Sequence, residues 1–412
     1  MRVLVDARLF SGVHGGVEQA IIGLADAFSM TQNMDLQFCW LVYEGQSEWL
    51  SKHLPNESEL IEVDAPNQTH NKVGDLIEQL RHLSFFDFPI ELTRKYGPFR
   101  FSLPEEPLIV QKINPTIIHF PKQIGFKTRI PNVYQPHDLQ HLHFPEFFTR
   151  EQRYLRKYIY GFMINQARRV VVGNEWTKAD FIFNYQESKD KFDNVPLFPQ
   201  LLPNHLDDKD NKLQFTKKRY FFYPATYWRH KNHELLLRAF AQVLDRGHKV
   251  DLVLSGSNLQ GNKNIIAEIN DLGIQENVHI VGFIETSDLA TLYRNACGVI
   301  VPSLFESASF PIWEAFAFGV PVAASRITSI AQQVQNSALL FDPTSVNEIT
   351  NSMLVILQDE IGNVDRVRSG QSRVRQFSAE NSAIGFRYSY RRALELHLDE
   401  LDCQWEKEKN IF

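Results

Sequence analysis

Two series of short apolar runs, each run followed by a helical pattern, occupy most of this sequence. This alternation is typical of parallel α/β architecture, in which crossover helices join strands that are buried on both faces. A stretch rich in Pro, Asn and Asp at 190–217 separates the two series and has the composition of a linker. The sequence therefore predicts two successive α/β domains, with a ligand cleft outside the carboxyl ends of their strands.

The predicted elements follow from the hydrophobic period and from the turn residues that bound each run. The buried strands of the first series are Arg2–Val5, Phe38–Tyr43, Thr116–Phe120 and Val170–Val172, and those of the second are Tyr220–Tyr223, Val250–Ser255, His279–Val281, Gly298–Val301 and Val320–Ala324. A helix is predicted after the first strand, with Val17, Ile21, Leu24 and Phe28 on one face, and another over His233–Asp245. Residues 65–110 show neither period, which predicts an insertion or a long loop.

Composition and charge exclude several classes of protein. The 412 residues, 43% of them hydrophobic, are enough for two buried cores, and the net charge of −6 argues against a dedicated nucleic-acid binder. The three cysteines are odd in number and widely spaced, which indicates a reducing compartment. The N-terminus lacks the apolar run of a signal peptide, and no run of about 18 apolar residues occurs. We therefore expect a cytoplasmic protein.

The segment 301–322 carries the most specific pattern, in which two glutamates flank the start of a helix. The helix is predicted to begin near Phe310 or Pro311, and Gly319 with Pro321 is a stop signal. A helix N-terminus presents unpaired N–H groups and a partial positive charge, which suit a diphosphate or another anion. Glu306 in the loop and Glu314 early in the helix can face the same cleft and accept hydrogen bonds from sugar or ribose hydroxyls. The alternative is a loop acid and a capping acid.

Two further turns lie where a doubly wound sheet places its ligands. Arg229 and Lys231 follow the first strand of the second series and can neutralise a donor diphosphate, although an exposed basic turn is the alternative. Gly12, Gly15 and Gly16 follow the first strand of the first series and permit close approach of a phosphate or sugar to the backbone. Their spacing is not that of a dinucleotide fingerprint, and a tight strand-to-helix turn is the alternative.

A stretch at 135–148 holds three histidines and two acids. His137 and His141 are four residues apart, a spacing that occurs in helical metal sites. However, Pro136 places the segment at the end of a strand, and a His-Glu-x-x-His pattern is absent. The acidic cluster at 207–210 lies in the linker without a preceding strand, which predicts a solvated turn. We therefore expect no metal site in either segment.

A Glu, seven residues and a second Glu leading into an Ala-rich helix and Gly-x-Pro resemble the signature of the GT4 family of retaining glycosyltransferases. The glycine turn, the His-Asp pair, the linker, the basic turn and the Glu-Glu helix occur in the order of that family. The resemblance implies the GT-B fold, an α/β fold of two Rossmann-like doubly wound domains facing a central cleft. It divides the chain into an acceptor-side domain at 1–200, a linker at 201–217, a nucleotide-sugar-binding domain at 218–375 and a C-terminal helix at 376–412 that crosses back to the first domain.

The resemblance also implies roles for individual residues. The implied catalytic residues are His137, Glu306 and Lys231. The implied donor-binding residues are Gly15, Gly16, Arg229, Lys231, Gly282, Phe283, Ser307, Ala308, Ser309, Phe310 and Glu314. Acceptor contacts are implied for Asp138, Asn174 and Lys178, with a capped helix and a solvated lysine as the alternative for the last two. The family has Phe-Gly where this chain has Ala308 and Ser309, which leaves the identity of the donor sugar open.

The implied activity is retaining transfer of a hexose from a UDP-, GDP- or dTDP-linked donor to a glycan or lipid-linked glycan, in surface polysaccharide synthesis. Attack is expected on the front face, with the leaving phosphate as base, and the protein contributes positioning and electrostatic stabilisation. No metal or other cofactor is expected. Two alternatives stay open: a GT-B-fold nucleotide-sugar epimerase and a catalytically silent nucleotide-sugar-binding subunit.

A basic helical stretch follows the His-rich segment. If helical, it places Arg150, Arg153 and Lys157 on one face, with Tyr158 and Tyr160 nearby. Such a face can contact anionic lipid head groups at the inner side of a membrane, where lipid-linked acceptors lie. A solvated helix face is the alternative.

Overall fold

A computed structural model describes residues 1–10, 16–31, 34–65, 103–199 and 219–408. The chain divides into two compact units. The first comprises Met1–Val172, Ile182–Asp193 and Phe386–Glu406, and the second comprises Gly173–Phe181, Asn194–Gly385 and Lys407–Phe412. The predicted linker at 201–217, the acidic cluster, Gly12, Gly15 and most of the predicted insertion lie outside the described residues, so the predicted domain bounds stay a prediction.

The elements alternate between strands and helices in both units. The strands are β1 Arg2–Asp6, β2 Gln37–Tyr43, β3 Glu59–Val63, β4 Ile117–Phe120, β5 Asn132–Tyr134, β6 Arg169–Val172, β7 Phe192–Asn194, β8 Tyr220–Pro224, β9 Asp251–Ser255, β10 Val278–Gly282, β11 Gly298–Val301, β12 Val322–Ser325 and β13 Leu339–Phe341. The helices are α1 Gly16–Met30, α2 Glu48–Ser51, α3 Leu108–Ile113, α4 Gln140–His143, α5 Arg150–Gln166, α6 Glu175–Tyr185, α7 His233–Asp245, α8 Lys263–Asp271, α9 Thr286–Asn295, α10 Phe310–Ala317, α11 Ile330–Val334, α12 Val346–Gln358, α13 Glu360–Val374, α14 Ala379–Ala393 and α15 Glu400–Glu408.

The sheet of the first unit has seven strands in the order β3-β2-β1-β4-β5-β6-β7. β1 pairs in parallel with β2 on one side and with β4 on the other, so the strand order reverses between β1 and β4. This reversal is the topological switch point, outside which doubly wound sheets bind ligands. On the predicted face of α1, Ile21, Leu24 and Phe28 are buried, as expected for a helix that covers a parallel sheet, and Val17 is partly buried.

The sheet of the second unit has six strands in the order β10-β9-β8-β11-β12-β13, and its switch point lies between β8 and β11. The α/β fold class is therefore confirmed, with one doubly wound parallel sheet in each unit. Helix α7 has the predicted bounds, and its apolar stripe of Leu236, Phe240 and Val243 is fully buried. Packing of this stripe supplies most of the driving force for the helix, since burial of each such side chain stabilises by about 2 kcal/mol.

The predicted strand Val320–Ala324 begins two residues late, at Val322. The backbone N–H of Val320 donates to the Ala315 carbonyl, which closes the end of α10, and Pro321 has no N–H to donate to the sheet.

None of the helices in the described ranges combines the length and the apolar composition that a membrane span requires.

Candidate active site

The loop between β11 and α10, residues 302–309, lies at the switch point of the second sheet. Helix α10 begins at Phe310, where the sequence predicts it, and carries Pro311 in its first turn, where a missing N–H costs nothing. Ser309 precedes the helix in an extended conformation, and its side chain does not cap the helix. The 302–309 loop thus leads directly into the positive end of the α10 dipole.

Lys231 and Glu306 form an ion pair, with Nζ 2.6 Å from Oε1. Lys231 ends a single 3₁₀ turn after β8, and the Tyr223 hydroxyl donates to its carbonyl oxygen at 3.0 Å. The N–H of Leu304 donates to the carbonyl of His230 at 2.7 Å, which ties the turn to the 302–309 loop. Glu306 is only 8% exposed, so the lysine compensates a nearly buried carboxylate. The structure therefore brings two of the predicted catalytic residues together.

Asn232 fixes this turn, and sequence reasoning missed it. Its backbone adopts the left-handed helical conformation, with φ 58°, which Asn tolerates better than most residues. Its buried side-chain amide donates to the carbonyls of Pro302 and Pro343 at 3.0 and 2.9 Å. An Asn directly before the predicted start of α7 was the signal that could have found it. The neighbouring Arg229 lies exposed on the same turn.

Glu314 lies one turn inside α10, and its Oε2 accepts a hydrogen bond of 2.5 Å from the Tyr293 hydroxyl. Burial raises the pKa of this carboxyl to about 7, although the Tyr293 hydrogen bond acts in the opposite direction. The Tyr293 ring stacks on Phe318 and meets Phe222 edge-on, so its hydroxyl is held in place. Tyr293 lies on α9, and no spacing in the sequence connects it to Glu314.

The side chain of Gln333 holds Ser309 by two hydrogen bonds. The Ser309 N–H donates to Gln333 Oε1 at 3.0 Å, and Gln333 Nε2 donates to the Ser309 carbonyl at 2.7 Å. Both residues are buried. The hydroxyls of Thr328 and Ser329 donate to the Glu306 carbonyl at 2.8 and 3.0 Å. Helix α11 and the residues before it therefore fix the 302–309 loop at its middle and at its C-terminal end, a role that the sequence did not indicate.

Asn174 and Lys178 belong to a segment of the chain that the structure groups with the second unit. The Asn174 amide nitrogen donates to the Ser307 carbonyl at 2.5 Å, and its oxygen accepts from the Thr177 N–H at 2.8 Å, which caps α6. Lys178 pairs with Glu175 within the same helix. The structure places Asn174 against the loop of the predicted donor site. The acceptor contact of Asn174 and Lys178 stays a prediction.

Gly282 and Phe283 lie at the end of β10. The φ of Gly282 is +70°, and a Cβ there would approach the Gln260 side chain to 2.8 Å. The carbonyl of Gly282 accepts from the N–H of Gly256, and Phe283 is 78% exposed. Gly256 itself permits no side chain, because its φ is +136° and a Cβ would lie 2.6 Å from the Ala225 carbonyl. The loops after β8, β9 and β10 therefore pack backbone against backbone at this edge of the sheet.

His137 and Asp138 lie in the first unit, after β5. His137 has a φ of +71°, and its Nε2 lies 2.7 Å from the Pro121 carbonyl. Nε2 therefore carries the proton, and Nδ1 is the acceptor. Burial lowers the pKa of His137, so the ring is neutral at pH 7. Asp138 accepts at 3.0 Å from the N–H of Gln140, the first residue of α4. Gly16 begins α1, and Gly15 lies outside the described residues.

Of the remaining histidines of this stretch, His141 packs as a structural residue and His143 is exposed. His141 is fully buried, and the rings of Phe148 and Tyr160 meet it edge-on. Across the ranges that the structure describes, no group of three or more His, Cys, Asp or Glu side chains could hold a metal ion.

Helix α5 forms as predicted, with a capping box at Thr149, and it leaves Arg150 and Lys157 exposed. The expectation that Tyr160 lies beside this basic face is wrong. Tyr160 is fully buried against His141, because it falls on the apolar stripe of the helix.

Residues 206–373 match a family model described as glycosyl transferases group 1. The O-antigen chain mannosyltransferase B of Escherichia coli is 27% identical over 274 residues, which is 61% of this chain and 70% of that protein. The next two curated relatives are matched over only 27% and 28% of their own length.

Solved structures resemble the chain over nearly its whole length. Sucrose-phosphate synthase from Thermosynechococcus elongatus superposes with a TM-score of 0.69 at 18% identity, covering 96% of this chain and 99% of that one. Anabaena HepE in complex with UDP and glucose gives a TM-score of 0.67 at 18% identity, with the same coverage. At these identities the likeness shows the fold, which is the GT-B type that the sequence predicts. The fold is therefore shared over nearly the whole chain, and the likeness to the group 1 glycosyl transferases covers residues 206–373.

Proposed function

We propose that this enzyme is a retaining GT4-type transferase that moves a mannosyl residue from a nucleotide-linked donor to a glycan or lipid-linked glycan. The observation that carries the proposal is the Lys231–Glu306 pair at the N-terminal end of α10, with Glu314 one turn further along the helix. A cation, a helix N-terminus and two carboxylates match the parts of a nucleotide sugar, namely a diphosphate and two sets of hydroxyls.

The donor diphosphate fits the positive charge of this site. Lys231 Nζ is held by Glu306 in the loop that leads into α10, and Arg229 is exposed on the same turn as Lys231. When the bond from the sugar C1 to the diphosphate breaks, negative charge grows on the leaving oxygen, and these cations stabilise it. No divalent metal is needed for that step in this proposal.

The two glutamates suit hydroxyl groups. Tyr293 occupies Oε2 of Glu314, which leaves Oε1 for a ribose hydroxyl. Lys231 occupies Oε1 of Glu306, which leaves Oε2 for a hydroxyl of the donor sugar. An ionised carboxylate accepts such hydrogen bonds with about twice the strength of a neutral acceptor.

The choice of mannose rests on the E. coli relative, whose name gives a mannosyl transfer and an O-antigen chain. GDP-mannose is therefore the first donor to test, ahead of UDP- and dTDP-sugars. The same name supports surface polysaccharide as the setting of the reaction.

The proposed reaction keeps the anomeric configuration. The acceptor hydroxyl oxygen bonds to C1 on the face from which the diphosphate departs, and its proton passes to the leaving phosphate oxygen. His137, whose Nδ1 is the acceptor nitrogen of a neutral ring, remains the candidate for a donor-sugar contact. The protein contributes positioning and electrostatic stabilisation rather than a covalent nucleophile.

The test is a thermal-shift and donor-hydrolysis screen over GDP-, UDP- and dTDP-sugars, with and without EDTA. We expect one nucleotide class to stabilise the wild type and to be hydrolysed slowly, whereas Lys231→Met and Glu314→Gln respond to none. Lys127→Met, which removes an exposed lysine paired with Glu105, is the matched control and behaves as wild type. Absence of any stabilisation of the wild type refutes the donor site, and loss of the response in EDTA refutes the metal-free reaction.

Peripheral membrane contact through the Arg150 and Lys157 face of α5 is part of the proposal. Anionic lipids attract each such residue by about 1 kcal/mol. Co-sedimentation with vesicles rich in anionic lipid tests it, and the double variant Arg150→Glu, Lys157→Glu is expected to stay in the supernatant. Equal sedimentation of the two proteins refutes this contact.

A further inference from the structure

Three charged residues meet at the switch point of the first sheet. Asp6 is the last residue of β1, Arg8 follows it by two positions, and Lys122 follows the end of β4 by two positions. Because β1 and β4 are neighbouring parallel strands, their carboxyl ends lie side by side. We call these three residues the switch-point cluster.

The geometry of the cluster is tight. Arg8 approaches both carboxylate oxygens of Asp6, with Nε at 2.7 Å and Nη2 at 3.0 Å. Lys122 Nζ lies 3.2 Å from Asp6 Oδ1 and donates to the Arg8 carbonyl at 2.8 Å. The Arg8 guanidinium also lies over the Phe126 ring, 5.4 Å from its centroid. Each charged group is thus held in one orientation.

The charges of the cluster do not balance. Asp6 is fully buried and Lys122 is 6% exposed, yet two cations share one carboxylate. Among the described residues, Asp6 is the only carboxylate in contact with either cation. Burial lowers the pKa of Lys122 to about 8, and the Arg8 charge acts in the same direction, so this ammonium is short of negative partners. Uncompensated buried charge is costly, and a purely structural ion pair would need only one cation.

Donor groups of the cluster remain available. The bidentate contact of Arg8 uses Nε and Nη2, and Nη1 makes no hydrogen bond within the described part of the chain. Lys122 uses two of its three N–H donors. A planar guanidinium beside an ammonium is the combination that binds phosphate oxygens through charge-assisted hydrogen bonds. The side chain of Arg8 is partly exposed, which gives such an anion access.

We propose that Arg8 and Lys122, oriented by Asp6, bind a phosphate group of the acceptor substrate. The inference rests on the proposed function, because a donor diphosphate assigned to the second unit leaves the first unit to the acceptor. A phosphate in this position supplies the negative charge that the cluster lacks. A sugar phosphate and a lipid diphosphate present the same chemistry to the site.

The first experiment titrates inorganic phosphate against the full-length protein at constant ionic strength, by calorimetry. It is done in a Lys231→Met background, which removes the cation assigned to the donor. We expect saturable binding that Lys122→Met and Arg8→Gln each weaken by about tenfold or more, the effect of losing a charge-assisted contact. Lys122→Arg keeps the positive charge, so its affinity for phosphate is expected to stay within about threefold of that of the protein with Lys122. Lys127→Met, the matched control, leaves binding unchanged.

A different pattern is expected if the switch-point cluster only stabilises the fold and binds no ligand. Lys122→Met and Arg8→Gln would then lower the melting temperature while phosphate binding stayed absent or unchanged, and that result overturns the proposal. If Lys122→Met fails to fold, the comparison of Lys122→Arg with Arg8→Gln carries the test. Stabilisation by nucleotide sugars, measured on the same variants without Lys231→Met, reports the donor site separately. Loss of phosphate binding with retained donor stabilisation therefore separates this inference from the proposed function.

The source of the phosphate is resolved by competition. A soluble hexose 1-phosphate and a polyprenyl diphosphate in detergent micelles are each added to the phosphate-bound protein. Displacement by the first indicates a sugar phosphate acceptor, and displacement by the second alone indicates a lipid-linked one. Displacement by neither contradicts an acceptor site.

Discussion

The pKa of Glu314 predicts that donor binding depends on pH. Burial raises this pKa to about 7, whereas the proposed contact with a ribose needs the ionised carboxylate. If only the ionised form binds, the apparent dissociation constant scales with one plus the ratio of protonated to ionised carboxyl. The affinity for a nucleotide sugar is then about tenfold lower at pH 6 than at pH 8, or about 1.4 kcal/mol.

The assay is calorimetric titration of the nucleotide sugar that stabilises the wild type, between pH 5.5 and 8.5. A nucleotide sugar is preferred to a free nucleotide because the terminal phosphate of the latter also titrates near pH 6. Tyr293→Phe removes a hydrogen bond that lowers the Glu314 pKa, so the midpoint of its profile moves to higher pH. Glu314→Gln binds weakly and without this dependence.

The free energy of unfolding is expected to fall as the pH rises, whereas the affinity for the donor rises. The folded-state pKa of Glu314 lies above its unfolded value of 4.5, so the folded protein holds an extra proton between about pH 4.5 and 7. Stability contributed by this group is therefore lost as the pH rises through that window, by at most about 3 kcal/mol. Glu314→Gln is expected to melt higher than wild type at pH 8. A wild-type affinity that is flat from pH 6 to 8, or a Glu314→Gln profile equal to it, refutes the reasoning.

Three further predictions concern the loops of the site. Gln333→Leu leaves the buried N–H and carbonyl of Ser309 without partners. We expect thermal denaturation to show a free energy of unfolding lower by about 2–5 kcal/mol, and donor titration to show a raised dissociation constant. A variant as stable as the wild type would contradict the double hydrogen bond. Gly256→Ala should lower the melting temperature far more than Gly261→Ala. Both glycines have a positive φ, but only a Cβ at Gly256 would meet the backbone of a neighbouring loop. Equal shifts in melting temperature would refute the close approach of the backbone to Gly256. Lys231→Met should lower kcat/KM by about 10²–10³, and an effect on KM alone would show that the lysine does not stabilise the transition state.

Much of the fold could be predicted from the sequence because strands buried on both faces form continuous apolar runs. Phe38–Tyr43 and Gly298–Val301 are such runs, and the structure confirms both strands. Four strands escaped prediction, because their residues lack that signal or are too few to show it. β3 carries Glu59 and Glu62 among its five residues, β5 and β13 are three residues long, and β7 contains Asp193 and Asn194.

The candidate site divides in the same way. The Glu306–Glu314 spacing and the basic turn are local in sequence, so their positions at the carboxyl ends of β8 and β11 could be predicted. Tyr293 and Gln333 could not, because each contacts the site through side-chain hydrogen bonds across about 20 residues of chain. The same holds for the switch-point cluster, in which Lys122 meets Asp6 across the first half of the first unit.

The central claim is that a nucleotide-sugar donor binds at the switch point of the second sheet. Hydrogen–deuterium exchange of the full-length protein, with and without the nucleotide sugar that stabilises it, tests this claim most directly. The account predicts donor-dependent protection of peptides covering 223–233 and 302–318, and no such protection at these peptides in Glu314→Gln. Protection confined to other peptides, or the same protection in wild type and Glu314→Gln, would contradict it.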